Sequence, residues 1–184
     1  MSLWRDAVLL IALIGFTGSG KSTLGRALAM DYGLPCYDSD KWIEQQSGSS
    51  IAHLFALEGE ASFREREADC ILQCIRSRST GVLVTGGGAV LKAQTRELLR
   101  TRCFTVHVQA PLDVIWQRLQ GQTDRPLLQG SDPYSKLSSL YDSRSGLYDF
   151  AHTVVSSLDM KRAASQIVAG WLQFTRDEGR VDGQ

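Results

Sequence analysis

Gly15-Phe16-Thr17-Gly18-Ser19-Gly20-Lys21-Ser22-Thr23 is the stretch whose reading decides the fold. It follows the apolar run Val8 to Ile14 without a break, and Ser22-Thr23-Leu24-Gly25-Arg26-Ala27-Leu28-Ala29 then continues with the pattern of a helix. Strand, glycine-rich turn and helix in that order read as a phosphate-binding loop. The glycines let successive backbone N–H groups point inward, Lys21 reaches the terminal phosphates, and the Ser22 hydroxyl is placed for Mg²⁺. The N-terminal dipole of the helix adds to the attraction for phosphate. A plain Gly/Ser-rich turn matches the same letters but does not need the flanking strand and helix. A nucleoside triphosphate is therefore the expected ligand, held by Gly18, Ser19, Gly20, Lys21, Ser22 and Thr23.

The chain has 184 residues, enough for one domain with a substantial core. Lys+Arg and Asp+Glu are both 20, so no global field favours nucleic acid or an anionic membrane, and any anion specificity is local. Cys36, Cys70, Cys74 and Cys103 include no Cys-x-x-Cys pair and read as reduced thiols; Cys70 and Cys74 share one helix face as small hydrophobes. His53, His107 and His152 are isolated, with structural or surface roles expected. The apolar run Ala7 to Ile14 falls well short of a membrane span and leads into the phosphate loop rather than a cleavage site. It reads as a central parallel strand buried on both faces, in a cytoplasmic protein.

Apolar runs alternate with helical patterns, the signature of an α/β domain with a mostly parallel sheet. Strands are expected near Val8 to Ile14, Pro35 to Tyr37, Val82 to Thr85, Phe104 to Val108 and Thr153 to Ser156. Between them, Ser62 to Arg78 is amphipathic, with Phe63, Glu67, Cys70, Ile71, Cys74 and Ile75 at helical spacing and Glu67 breaking the apolar stripe. Gly121 to Pro133, around Arg125, has the composition of a mobile loop, and the polar tail Asp177 to Gln184 that of a frayed end.

Three features narrow the chemistry. Asp38-Ser39-Asp40 follows the second strand, at the edge where open α/β sheets gather ligands. In an extended segment both carboxylates would face one cleft, one to orient a metal and one to accept a proton. The same letters also suit a helix N-cap at Asp40. Gly86-Gly87-Gly88 closes the third strand, where a ligand could lie against backbone N–H groups, although a plain turn is also compatible. Arg64, Arg125 and Arg144 stand in specific settings, and the planar fork of arginine suits carboxylate and phosphate. Arg66, Arg76 and Arg118 fit solvated surface positions as well.

Taken together these pieces resemble the shikimate kinase family up to about Phe174. The run Tyr37-Asp38-Ser39-Asp40-Lys41-Trp42-Ile43-Glu44, then Gly48, Ile51, Leu54-Phe55, Gly59-Glu60, Phe63-Arg64 and Glu67, is similar to the family's Asp-x-Asp segment and substrate-binding helices. Gly86-Gly87-Gly88-Ala89-Val90, Arg125-Pro126-Leu127-Leu128 and Arg144-x-x-x-Tyr148 follow in order. The resemblance implies ATP-dependent phosphorylation of the 3-hydroxyl of shikimate, with Mg²⁺. It implies Lys21 on the transferring phosphoryl, Ser22 and Asp38 at the metal, and Asp40 on the ring hydroxyls as proton acceptor. It further implies Arg64 and Arg144 on the substrate carboxylate, helped by Gly86, Gly87 and Gly88. Arg125 would be the lid arginine over the phosphates, and Arg118 would stack on adenine. Ser156 to Arg162 only loosely resembles the family's adenine-contacting loop.

The implied fold is a three-layer αβα, nucleoside-monophosphate-kinase-like domain with a five-stranded parallel sheet in order 2-3-1-4-5. It would span residues 1–184 as one monomeric domain, with the phosphate loop at 15–23, a substrate-binding helical segment at about 40–68, a lid at about 121–133 and a frayed tail at 177–184. A kinase for gluconate or a nucleoside monophosphate would lack the combined Asp-Ser-Asp, Phe-Arg and triple-glycine set. A degenerate binding protein would be expected to have lost one of Lys21, Ser22, Asp38, Asp40, Arg64, Arg125 or Arg144.

Overall fold

The computed structural model describes residues 9–77, 80–120 and 132–181. Five strands, β1 (Leu9–Ile14), β2 (Cys36–Asp38), β3 (Thr80–Val84), β4 (Phe104–Gln109) and β5 (Thr153–Ser156), form one sheet in the order β2-β3-β1-β4-β5. Every pairing is parallel; at the centre Leu13 of β1 sits opposite Val84 of β3 and Val106 of β4. The expected order and the expected strands are all present, with ends shifted by a residue or two.

The central strand is apolar on both faces because both faces are covered. Ile11 and Leu13 face a core completed by α1 (Lys21–Tyr32) and α7 (Met160–Val181), through Leu24, Leu28, Ala163 and Ile167. Leu10, Ala12 and Ile14 face the opposite core with Ile71, Cys74 and Ile75 of α3 (Ile51–Ser77) and Leu99 of α4 (Ala93–Arg102). All five of these β1 residues are 0% exposed, and each aliphatic one contributes about 1.5–3 kcal/mol by leaving water. Two smaller clusters flank the sheet's C-terminal edge. One joins Phe16 to α5 (Leu112–Leu119) and α6 (Pro133–Arg144); the other joins α2 (Ser39–Ser47) to α3 through Ile43, Leu54 and Phe63.

Gly59 interrupts α3 with φ 77° and ψ 169°, a backbone region that side-chain-bearing residues avoid, so the helix turns a corner there. The ion pair of Glu58 with Arg66, 2.6 Å long, spans the corner. Helix α7 runs to Val181 and so takes in the first residues of the polar tail, which include good helix formers. Most of the expected lid, Arg125 included, lies outside the described residues. Among the described residues no helix is long and apolar enough to cross a membrane.

Candidate active site

The strand order places the reversal point beside β1, and the loops that leave the carboxyl ends of β1, β2 and β3 converge there. On the β1 side, Gly20 holds φ 99° and starts α1 with no side-chain cap and no acidic residue in the first turn. The helix N-terminus is thus left with unsatisfied donors and positive potential. A side chain at Gly20 would also press within 3.1 Å of Ser157 and 3.3 Å of the Arg118 guanidinium. Lys21 is only 7% exposed, and its Nζ donates to the Gly15 carbonyl at 2.7 Å and the Phe16 carbonyl at 2.8 Å. The loop's own carbonyls therefore hold the ammonium beside the helix start. Ser22 is half-buried and Thr23 exposed. Ser19 donates its backbone N–H to Phe16 O at 3.1 Å, and its side chain is turned inside.

Arg118, equally compatible with a surface role from sequence, is drawn to this loop. Its Nη1 donates to Gly18 O at 3.2 Å and to Ser157 Oγ at 2.9 Å, joining α5, the phosphate loop and the segment after β5. Lys161 and Arg162, beyond that segment, are exposed.

On the β2 side the two aspartates are not both on an extended segment, as the sequence had suggested. Asp38 ends β2 and caps α2, its Oδ1 accepting from the N–H groups of Asp40 at 3.2 Å and Lys41 at 3.3 Å, while Asp40 lies in the first helical turn. The capping role thus falls to Asp38 and not to Asp40. Between them Ser39, 1% exposed, accepts the Gly86 N–H on its Oγ at 3.0 Å. That hydrogen bond commits the Gly86 N–H within the protein. None of the three glycines has positive φ, so their need is for space. A Cβ on Gly86 would collide with Glu67 Oε1 and the Asp40 carboxylate, one on Gly87 would come within 2.9 Å of Thr17 N, and one on Gly88 would strike the Arg64 guanidinium. These contacts bring the phosphate loop, Asp40 and Arg64 around one strand end.

Arg64 pairs with Glu67 at 2.8 Å and Glu60 at 3.2 Å, and its guanidinium lies over Phe55 and Phe63 at 5.2 and 5.4 Å from the ring centres. Arg144, 7% exposed, donates from Nη1 to Gly87 O at 3.2 Å and covers the Phe16 ring at 5.7 Å. Burial pulls the Arg144 pKa below the ordinary arginine value, and the Arg64 charge adds to that pull. The Nε–H of each arginine is buried without a hydrogen-bond partner among the described residues. Two cations with spare donors, facing the same glycine loop, form a site that wants an anion.

Glu67, read from sequence as a break in an apolar stripe, is 2% exposed and belongs to this site. Burial raises its pKa, Arg64 opposes the rise, and Asp40 adds to it. A buried acid at i+3 from an arginine on one helix is the signal that could have found it. Ser39 carried no such signal.

The structure thus brings Lys21, Asp38, Asp40, Arg64, Gly86 to Gly88 and Arg144 to one edge and leaves only Arg125 undescribed. Comparison with known proteins bears on this arrangement directly. The shikimate kinase family model matches residues 17–176. A shikimate kinase of Burkholderia pseudomallei (strain 1710b) is 42% identical over 154 residues, covering 83% of each chain. One from Halorhodospira halophila is 43% identical over 165 residues, 90% of this chain and 92% of that one. Among solved structures, the shikimate kinase from Acinetobacter baumannii in complex with shikimate superposes with a TM-score of 0.83 at 34% identity, covering 92% of this chain and 96% of the other. Matches of this length and identity, from sequence and structure alike, lead to one conclusion: the chain belongs to the shikimate kinase family.

Proposed function

We propose that this chain transfers the γ-phosphoryl group of ATP to the 3-hydroxyl of shikimate, giving shikimate 3-phosphate and ADP on the route to chorismate and the aromatic amino acids. The observation that carries the reading is the pair of guanidinium groups, half-buried Arg64 and buried Arg144, set against Phe55, Phe63 and Phe16 and sharing the Gly86–Gly88 loop with Asp40. Shikimate offers a carboxylate at one end of a small ring and hydroxyls at the other, which suits that polarity. The Acinetobacter relative solved with shikimate supports the same choice.

In this reading Arg64 and Arg144 take the carboxylate, and the apolar rings cover the face of the substrate. Asp40 accepts hydrogen bonds from the ring hydroxyls and then the proton released as the 3-hydroxyl attacks. Lys21 leaves its loop carbonyls for the phosphates and offsets the charge that spreads over the transferring group. The first turn of α1 holds the remaining phosphate oxygens with backbone N–H groups. Arg118 borders the base, and Arg125 closes over the phosphates.

The donors present suit Mg²⁺: a half-buried hydroxyl on Ser22 and a carboxylate on Asp38, with no group of three His, Cys, Asp or Glu side chains built to cage a metal among the described residues. An ion that takes most of its ligands from phosphate and water needs no more from the protein, and when bound it neutralises β- and γ-phosphate charge. Four free cysteines fit a reducing, cytoplasmic setting, and the chain acts there as a monomer.

A coupled ADP-release assay with shikimate, gluconate and AMP side by side tests the substrate. Turnover with shikimate only is expected; turnover with gluconate or AMP, or none with shikimate, contradicts the reading.

A further inference from the structure

A cavity of about 60 Å³ lies between the phosphate loop, the end of β4 and the segment that follows α6, lined by Phe16, Ser19, His107, Tyr141 and Tyr148 among others. Two of the lining residues, Ser19 and Tyr148, carry hydroxyls that have no hydrogen-bond partner among the described residues, although Ser19 is only 1% and Tyr148 only 3% exposed. A buried hydroxyl left without a partner carries the full penalty of having lost water. Two of them lining one small space are best explained by something polar between them. The space exceeds the roughly 10–15 Å³ of accessible volume that one water needs, so it has room for ordered water.

The third polar wall is His107. Its ring stacks on Tyr148 with centroids 4.3 Å apart and planes 18° from parallel. Burial, and then the charge of Lys21, push its pKa down to about 4, against a smaller opposing pull from Asp149. The imidazole is thus neutral at neutral pH and offers both a donor and an acceptor. A water needs two to four polar partners, and these three side chains supply them.

We propose that this cavity holds ordered water bridging Ser19 Oγ to Tyr148 OH, and that Tyr148 is thereby a positioning residue linking the phosphate loop to Arg144. The segment already touches the loop by another route. Arg144 covers Phe16, and Tyr141 packs edge-on against the same ring with centroids 5.3 Å apart while donating to Ala110 O at 3.3 Å. Tyr148 lies close enough to Arg144 to influence its charge. The bridge would therefore fix the distance between the residue that grips the acceptor and the loop that holds the donor. The positioning role rests on the function proposed above; the water does not.

The test is a double-mutant cycle on the full chain: wild type, Ser19→Ala, Tyr148→Phe and the double variant, each measured by thermal unfolding and steady-state kinetics. If water bridges the hydroxyls, each single substitution lowers the unfolding midpoint by about 2–4 °C. The double variant then loses clearly less than the sum. The turnover number falls by the same factor in both single variants and no further in the double, with KM for ATP and shikimate within about twofold of wild type. A dry cavity predicts the opposite sign, because deleting an orphaned hydroxyl relieves a penalty. An unchanged or raised midpoint in Tyr148→Phe, or losses that add in full, overturns the water; Ser19→Ala reports the same sign should the tyrosine variant fail to fold. Coupled midpoints with an unchanged turnover number overturn the positioning role. A wild type inactive on shikimate would defeat the proposed function while leaving the thermal cycle to decide the water.

Discussion

The two halves of the cleft are built by different means. The phosphate side is one unbroken stretch, residues 15–23, whose geometry is set by its own glycines and by the helix that begins at Lys21. The acceptor side is assembled from the end of β2, the first turn of α2, the second half of α3, the loop after β3 and the end of α6. A contiguous site tolerates little variation in its letters but needs little from the rest of the fold. A dispersed site depends on buried contacts, such as Ser39 to Gly86 and Arg64 to Glu67, that fix one segment against another. Substitutions should therefore separate into those that stop chemistry with the fold intact and those that alter acceptor binding or stability.

The largest expected effect is on the acceptor side. Asp40→Asn keeps the shape but cannot take a proton, and should lower the turnover number by about 10²–10⁴-fold while KM for ATP stays within about twofold. Steady-state kinetics checks this, and an unchanged turnover number would reduce Asp40 to an anchor. Next comes the phosphate side: Lys21→Ala should cost about 10²–10³-fold in turnover with an unchanged far-UV circular dichroism spectrum. Near-native turnover in that folded variant would mean that the loop carbonyls, and not a phosphate, are its working partners.

Smaller effects concern protonation, and here the two sides pull in opposite directions. His107, beside the phosphate loop, has its pKa pushed down by burial from the ordinary imidazole range to about 4. The unfolded chain binds that proton more readily, so the stability this group contributes is complete above about pH 6.5 and lost as pH falls towards 4. His107→Phe keeps a ring on Tyr148 and should remove that loss, as followed by urea unfolding across the window. Glu67, on the acceptor side, has a raised pKa, chiefly from burial. The folded protein holds that proton more tightly, so its contribution is complete below the unfolded pKa and declines as pH rises through the folded one. Glu67→Gln should flatten this decline. Parallel profiles for wild type and variant would show that Glu67 stays ionised throughout.

The same contrast explains what could be read before the structure was known. The five strands and the phosphate loop were legible because apolar runs and glycine spacing are local signals, and sheet order followed from the resemblance. Arg64 and Arg144 could be named, but not the reason for the triple glycine, which is the space that Asp40, Glu67 and Arg64 occupy. The cap falls on Asp38 and not on Asp40 because α2 starts at Ser39, two residues earlier than an extended Asp-Ser-Asp would allow. Ser39 was missed as a site residue because its partner Gly86 lies far away in the chain, and Glu67 because its pairing with Arg64 one turn earlier was read only as a break in an apolar stripe.

The central claim is that Arg64 and Arg144 hold the acceptor's carboxylate opposite the phosphate loop. Equilibrium binding of shikimate and of its neutral carboxamide, to wild type and to Arg144→Ala and Arg64→Ala, tests it most directly. Each arginine variant should lose roughly 1.5–3 kcal/mol for shikimate, the range for hydrogen bonds to a charged group, with ADP affinity nearly unchanged. Wild type should discriminate strongly against the carboxamide, and the arginine variants should discriminate little. Equal discrimination in wild type and variants would contradict the claim, because the carboxylate would then be recognised elsewhere.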